Sequence, residues 1–251
     1  MAVRLILSGF RSIEECIRTN PDRIAKLLVP PGKHSLRIGQ VCELAKKNGI
    51  RVEINPKSHA HDQDDESVLA ILHDYEYTDF EALLDEVKEA VAQGERPVIL
   101  ILDGITDPQN LGAILRSAAF MGVSGVILPK DRSVAINDTV YRIASGGLEH
   151  VRVCQVTNLV SAVQALKKVG FWIIGFSEHS SQKIGQLKND FAPVIIIGNE
   201  EKGMRPLVKE NCDFLVKFVG KSRLISLNAS VAAALAMAWA TEVLSPSASD
   251  V

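Results

Sequence analysis

The sequence has few of the features that would hold a small fold together covalently. Its 251 residues contain four cysteines, Cys16, Cys42, Cys154 and Cys212, none of them in a C-x-x-C pair. That spacing argues against a zinc site or a disulfide framework, so no metal and reduced thiols in a cytoplasm are expected. Aromatic residues make up only 5% of the chain while 47% is apolar, so the core must be aliphatic. No apolar run reaches the roughly 20 residues a membrane span requires. The opening MAVRLIL is too short and too quickly polar to read as a secretory signal. A cytoplasmic protein without membrane partners is the expectation. G-x-G-x-x-G, G-x-x-x-x-G-K-[ST] and G-x-S-x-G are all absent. The common dinucleotide, P-loop and serine-hydrolase signatures are therefore missing.

The net charge is only −2, but its distribution is uneven. Residues 1–60 carry eleven Lys/Arg against five Asp/Glu, residues 62–95 one against twelve, and residues 96–251 sixteen against thirteen. A basic start, an acidic joint and a mildly basic remainder suggest two units with a linker. The same acidic stretch also reads as a solvated helix. The expected organisation is a small α/β unit over 1–75, a linker with an acidic amphipathic helix over 76–96, a larger domain over 97–243 and a flexible tail over 244–251. The His59–Glu66 run, HAHDQDDE, reads as an exposed loop. Its two alternate histidines lack a third ligand nearby.

In the linker, Phe80, Leu83, Leu84, Val87 and Val91 fall on one helical face. From Pro97 onward, short apolar runs alternate with helical patterns. Val98–Leu102, Val126–Pro129, Val151–Val156, Phe171–Phe176, Pro193–Ile197 and Phe214–Phe218 read as strands. Gln109–Met121, Asn137–Ala144, Leu159–Val169, Pro206–Asn211 and Ser226–Val243 read as helices. Such alternation predicts a mostly parallel sheet with helices on both faces. In the first unit the same reading gives helices over Ser12–Arg18 and Ile38–Asn48 and strands over Lys26–Pro30, Ile50–Ile54 and Val68–Leu72.

Asp107-Pro108 supplies an N-cap and a first helical residue for Gln109–Met121. That helix is nearly all apolar or small, and Arg116 within it looks like a buried charge in need of a partner. In parallel sheets, ligands collect beyond the carboxyl ends of strands. The segments there are Asp103–Asn110, Ser177-Glu178, Gly198–Met204 and Val219–Asn228. They are rich in Gly, Asn and Ser, which suits a small ligand held by main-chain hydrogen bonds. Asp103-Gly104 offers a faint phosphatase-like hint, without the spacing or nucleophile pair to support it.

Three segments in order, DGITDPQNLGAILRSAAFMGV (103–123), VIIIGNEEKGM (194–204) and LISLNASVAAALAMA (224–238), resemble the motifs of the SpoU family of RNA ribose 2′-O-methyltransferases. The likeness is greatest to bacterial enzymes that methylate a guanosine ribose in 23S rRNA. It implies an α/β fold with a mostly parallel sheet and a C-terminal trefoil knot, preceded by a small L30e-like α/β domain that binds RNA. It also implies S-adenosyl-L-methionine as cofactor, RNA as substrate (rRNA, with tRNA as the alternative) and a homodimer.

The resemblance assigns catalytic roles to Asn110, Arg116, Glu200, Ser226 and Asn228. It assigns cofactor contacts to Ile197, Gly198, Phe218, Leu227 and Asn228. Glu200 or an RNA phosphate would partner Arg116, and a structural Arg–Glu pair is the plainer alternative. Asn110 could simply cap its loop. It lies about 120° around the helix from Arg116, so the two cannot face the same way on a regular helix. Arg11, Arg18, Arg23, Lys26, Lys33, Arg37 and Arg223 are candidate phosphate contacts, and Lys221 and Arg223 could equally be solvated. The N-terminal part lacks the family's usual His-Gln-Gly signature and has DDESVLAIL in its place, which leaves the RNA target open. Competing functions are a tRNA ribose methyltransferase, an rRNA-methylating antibiotic-resistance enzyme, a non-catalytic RNA-binding or ribosome-assembly protein, and a phosphate-handling α/β enzyme.

Overall fold

The computed structural model describes residues 5–59, 67–220 and 226–242. Most of the HAHDQDDE run, Lys221, Arg223 and the expected tail lie outside these residues. The chain divides into two compact units. One comprises Met1–Glu76 with Ile136–His150, the other Tyr77–Ala135 with Val151–Val251.

The first unit begins with β1 (Ile6–Ser8), α1 (Phe10–Thr19), β2 (Ile24–Val29), α2 (Leu36–Lys47), β3 (Val52–Ile54) and β4 (Leu69–Leu72). Its sheet order is β1-β4-β2-β3. β4 runs antiparallel to both β1 and β2, and β3 runs parallel to β2. Leu7, Ile13, Ile17, Leu27, Ile38 and Leu72 are fully buried, so both helices lay an aliphatic stripe against this sheet.

The acidic stretch is α3 (Phe80–Ala92), which belongs to the second unit. Asp79 caps it, accepting from the N–H groups of Glu81 and Ala82 at 3.0 and 3.1 Å. Leu83 and Val87 are buried, and Phe80, Leu84 and Val91 pack beside them, so the apolar face is the one its spacing defines. There follow β5 (Ile99–Asp103), α4 (Pro108–Phe120) and β6 (Gly125–Pro129). The next helix, α5 (Asp138–Ala144), belongs to the first unit although its sequence neighbours belong to the second. The Ile6 N–H donates to Asp138 Oδ1 at 2.8 Å, and Val140, Tyr141 and Ala144 are buried. A truncation of residues 1–75 would strip this segment of its packing.

The second unit continues through β7 (Val153–Val156), α6 (Leu159–Lys168), β8 (Trp172–Phe176), β9 (Gln182–Lys183), β10 (Pro193–Gly198), α7 (Pro206–Glu210), β11 (Phe214–Lys217) and α8 (Ala229–Ala240). Its seven strands follow the order β7-β6-β5-β10-β8-β11-β9, and every pairing is parallel. β5 and β6 are buried along their whole length, as continuous aliphatic runs covered on both faces should be. β1 and β9 were not apparent as strands in the sequence. With three and two residues they are too short to show a period. α8 starts later than its alanine-rich pattern suggests, because Asn228 is its cap. Among the described residues, no helix is long and apolar enough to cross a membrane. The cysteines are free, and burial pushes the Cys154 thiol up to about 11 and Cys212 to about 12, so neither is a thiolate at neutral pH.

The first unit also buries a polar cluster. The Arg23 guanidinium lies 4.5 Å from the Tyr75 ring centroid and 5.5 Å from that of Tyr141. Both carboxylate oxygens of Glu149 are buried beside the Cys16 thiol and Asn20. Burial pushes the Glu149 carboxyl above the usual range, with Arg23 opposing it. The folded state therefore holds this proton more tightly than the unfolded chain. The resulting stabilisation is complete below the ordinary carboxyl range and is lost as pH rises through the elevated pKa. Thermal unfolding followed from pH 4 to pH 8 should show the wild-type melting point falling with pH relative to that of Glu149→Gln.

Candidate functional site

The site is set by the pairing of β10 between β5 and β8. Gly198, the last residue of β10, lies in register with Asp103, the last of β5. The loops that follow these two strands therefore leave the sheet side by side at its carboxyl edge. Asp103 is 1% exposed, and a buried carboxylate requires partners. Both come from Arg205, whose backbone N–H donates to Oδ2 at 2.7 Å and whose Nε donates to Oδ1 at 2.6 Å. Asp103 is thus the anchor of the 199–205 loop, with both oxygens occupied, and it is no free nucleophile for phosphate chemistry.

Asn199 pins the same loop from the other side. Its Oδ1 accepts from the N–H groups of Glu201 and Lys202 at 3.1 and 3.0 Å, and its Nδ2 donates to the Gly104 carbonyl at 2.8 Å. The loop closes through paired hydrogen bonds between the main chains of Asn199 and Gly203. It folds so tightly over β10 that a Cβ on Gly198 would lie 2.3 Å from Gly203 C and Met204 N. Only glycine fits at that position.

Asp107 caps α4 through Gln109 N–H at 2.8 Å, which leaves Asn110 free of any capping duty. Asn110 is 8% exposed, and its side chain makes the central link of the site. Its Nδ2 donates to Glu200 Oε1 at 2.8 Å, and its Oδ1 accepts from Asn228 Nδ2 at 3.0 Å. Asn228 Oδ1 in turn accepts from the N–H and hydroxyl of Ser230 at 2.9 and 2.6 Å. One chain of amides thus ties the starts of α4 and α8 to the loop after β10.

Beside it opens a cleft of about 640 Å³. Ile197, Gly198, Phe218 and Leu227 line it, as do Glu200 and Ser226. Asn110, Arg116 and Asn228 do not line it. Asn110 and Asn228 lie behind Glu200 through the amide chain. The Phe176 and Phe218 rings, both in the wall, stack with centroids 4.9 Å apart.

Arg116 corrects the expectation of a buried cation. It is exposed, while Leu111, Ile114, Leu115 and Ala118 carry the buried face of α4. Among the described residues no ion pair joins it to Glu200, whose carboxylate is held by Asn110 and Asn199 instead. Its separation around the helix from the buried Asn110 agrees with the angle between them. Sequence reasoning did not single out Asn199, Arg205 or Phe176. A signal existed for Arg205, since an acid closing a wholly apolar strand must find a cation or N–H groups nearby.

The candidate phosphate contacts differ in how they are engaged. Lys26 is paired with Glu53 at 2.6 Å, and Arg23 is stacked over two tyrosines. Arg37 pairs with Glu14 at 2.9 Å and remains exposed. Arg11, Arg18 and Lys33 are exposed.

Comparison with known proteins gives the family. The model of the SpoU rRNA Methylase family matches residues 97–238. This chain belongs to that family. A second family model, for RNA 2′-O ribose methyltransferase substrate binding, matches residues 6–77. A Staphylococcus saprophyticus relative named for the TrmH family of tRNA/rRNA methyltransferases is 39% identical over 236 residues, covering 93% of each chain. A Staphylococcus haemolyticus relative named in the same way is 36% identical. Two solved structures share the fold at lower identity. The SpoU methyltransferase AviRb of Streptomyces viridochromogenes, solved with AdoMet, superposes with a TM-score of 0.75 at 19% identity, over 96% of this chain and 90% of that one. An AdoMet-bound rRNA methyltransferase of Sinorhizobium meliloti gives 0.76 at 20% identity, over 96% and 88%. This protein is an RNA methyltransferase of the SpoU/TrmH type.

Asn110→Ala would leave Glu200 Oε1 and the Asn228 amide without their shared partner. Urea unfolding should show a loss of roughly 1–3 kcal/mol, the cost of stranding partly buried polar groups. Exposed Arg116→Ala should change stability by less than about 0.5 kcal/mol.

Proposed function

We propose that this protein transfers a methyl group from S-adenosyl-L-methionine to the 2′-hydroxyl of an RNA ribose, with a guanosine of 23S rRNA as target. The observation that carries this reading is the Asn228–Asn110–Glu200 chain, which fixes Glu200 in the wall of the cleft beyond β10. The residues present suit the cofactor. Gly198 and Gly203 leave the main chain bare, the Phe176–Phe218 stack gives an apolar slab, and Ile197 and Leu227 complete the wall. Asn228 would hold the start of α8 in place beneath them. Bound there, the cofactor would supply a methyl already activated on a cationic sulfur.

The protein's own task is then to align a hydroxyl that is a poor nucleophile until its proton leaves. Exposed and without an internal partner among the described residues, Arg116 meets an RNA phosphate and the ribose, which together help the hydroxyl lose its proton as attack proceeds. Ser226, in the lining of the cleft, would orient the ribose. The unit over residues 6–77, with its exposed cations, grips the RNA. The relatives' names cover both tRNA and rRNA, which makes a tRNA ribose the second reading.

A homodimer and a knotted C-terminal segment belong to the same proposal. α8 is apolar nearly all round, yet Val231, which does not line the cleft, is 47% exposed. A helix of that composition is stable in water only when covered. A second copy of the chain would cover it, and sedimentation equilibrium should give a dimer that Val231→Glu converts to monomer.

The decisive test incubates the protein with labelled S-adenosylmethionine and unmodified rRNA or tRNA transcripts, then maps the methylated nucleotide. Arg116→Lys should slow transfer at least about tenfold, or about 1.4 kcal/mol, with calorimetric cofactor binding unchanged. Gly198→Ala should lose cofactor binding itself. Near-normal turnover of Arg116→Lys would remove the role assigned to Arg116.

A further inference from the structure

The turn after β10 gives the cleft one unbroken stretch of its lining, residues 199–204. Glu201, Lys202 and Gly203 at the tip of that turn are exposed, so packing does not fix the tip. The turn is gripped at its two ends instead, and both grips come from consecutive residues at the end of β5. At its start, the Gly104 carbonyl accepts from Asn199 Nδ2 at 2.8 Å. At its close, the Asp103 carboxylate accepts from the backbone N–H and the Nε of Arg205 at 2.7 and 2.6 Å. Arg205 is also the residue before Pro206 at the start of α7, whose Lys209 lines the same cleft.

The second grip has a specific chemistry. The Asp103 side chain is wholly buried, while that of Arg205 is 42% exposed. The side-chain bond is made by Nε, and the terminal Nη2 is buried without a hydrogen-bond partner among the described residues. The donor that matters therefore sits one bond beyond Cδ. Glutamine carries a nitrogen at that point of its chain, whereas lysine carries a methylene there and its ammonium one bond further on. Substitution at 205 can thus separate the position of the donor from the presence of the charge. The backbone N–H bond to Asp103 survives either change.

We propose that Asp103 and Arg205 are a positioning pair for methyl transfer, holding the 199–205 turn in the shape that receives the cofactor. The pair rests on the reading of this cleft as the cofactor site and adds to it two residues outside the cleft's lining. They act through Glu200 and the main chain of residues 198–204. With the Nε bond lost, the turn samples open forms, and the apparent affinity falls by the fraction of molecules in which it is closed. Bound cofactor closes the turn again, so turnover at saturation is spared.

The test uses the full chain, with calorimetric titration of S-adenosylmethionine, initial rates on an rRNA transcript at varied cofactor, and a melting curve for each variant. Arg205→Lys and Arg205→Ala should weaken binding at least about tenfold, the lower end for a hydrogen bond to a charged group. KM for the cofactor should rise in step, with kcat within about twofold of wild type. Arg205→Gln should bind within about threefold of wild type although it lacks the charge, because its donor stands where Nε stood. A role of charge alone predicts the opposite order, with Arg205→Lys nearest wild type. Without cofactor, trypsin should cut after the exposed Lys202 faster in Arg205→Lys and Arg205→Ala than in wild type or Arg205→Gln. If wild type binds the cofactor and Arg205→Lys binds it equally well, or better than Arg205→Gln, the positioning role is overturned while the cofactor reading stands. A fall in melting temperature alone, with affinity unchanged, overturns it in the same way. If wild type binds no S-adenosylmethionine, both fall.

Discussion

The site depends on the register of two parallel strands. β10 lies between β5 and β8, and its pairing sets Gly198 opposite Asp103. From that alignment follow a loop anchored through Arg205, a turn folded back over a bare glycine, and the meeting of Asn110 with Glu200 across 90 positions of sequence. A one-residue slip would reverse the face presented by every side chain of β10 and separate these partners. The buried Asp103 makes such a slip costly, because the slipped strand would leave a carboxylate in the core without Arg205.

The second constraint is that polar groups at the sheet's carboxyl edge must be satisfied locally. Asn199, Asn110 and Asn228 each use both ends of the amide, one to fix a loop or helix start and the other to reach a neighbouring segment. Neutral amides can do this without the desolvation cost of buried charge. Charged groups are left at the surface of the site, where Glu200 and Arg116 are exposed. The buried Asp103–Arg205 pair is the exception, and it anchors the loop through both carboxylate oxygens.

Most of the fold of the second unit was legible in the sequence, because continuous aliphatic runs and capped helices have a strong local signature. Asp107-Pro108 and Asn158 cap the helices their positions suggest. The motif residues Glu200, Ser226 and Gly198 do meet in one cleft. Other features could not be read in one dimension. Strand order determines who partners Glu200, and nothing local encodes it. Arg116 looked buried because its sequence neighbours are apolar. A helix presents only part of its circumference to the core, and residue 116 lies off the stripe formed by 111, 114, 115 and 118. The allegiance of α5 was equally hidden, since Val140, Tyr141 and Ala144 mark an apolar face but not the surface it covers.

Charge counting misleads in the first unit for a related reason. Its basic surplus is real, but Arg23 and Lys26 are occupied by internal partners, and Arg37 is partly compensated by Glu14. An Arg stacked between aromatic rings contributes packing and little long-range field at the surface. The unit also gains Arg142 from a segment more than sixty residues beyond β4. What an anionic polymer would meet is therefore set by which cations remain without partners after folding. Among the described residues of this unit those include Arg11, Arg18 and Lys33, joined by Arg142 through the return of α5.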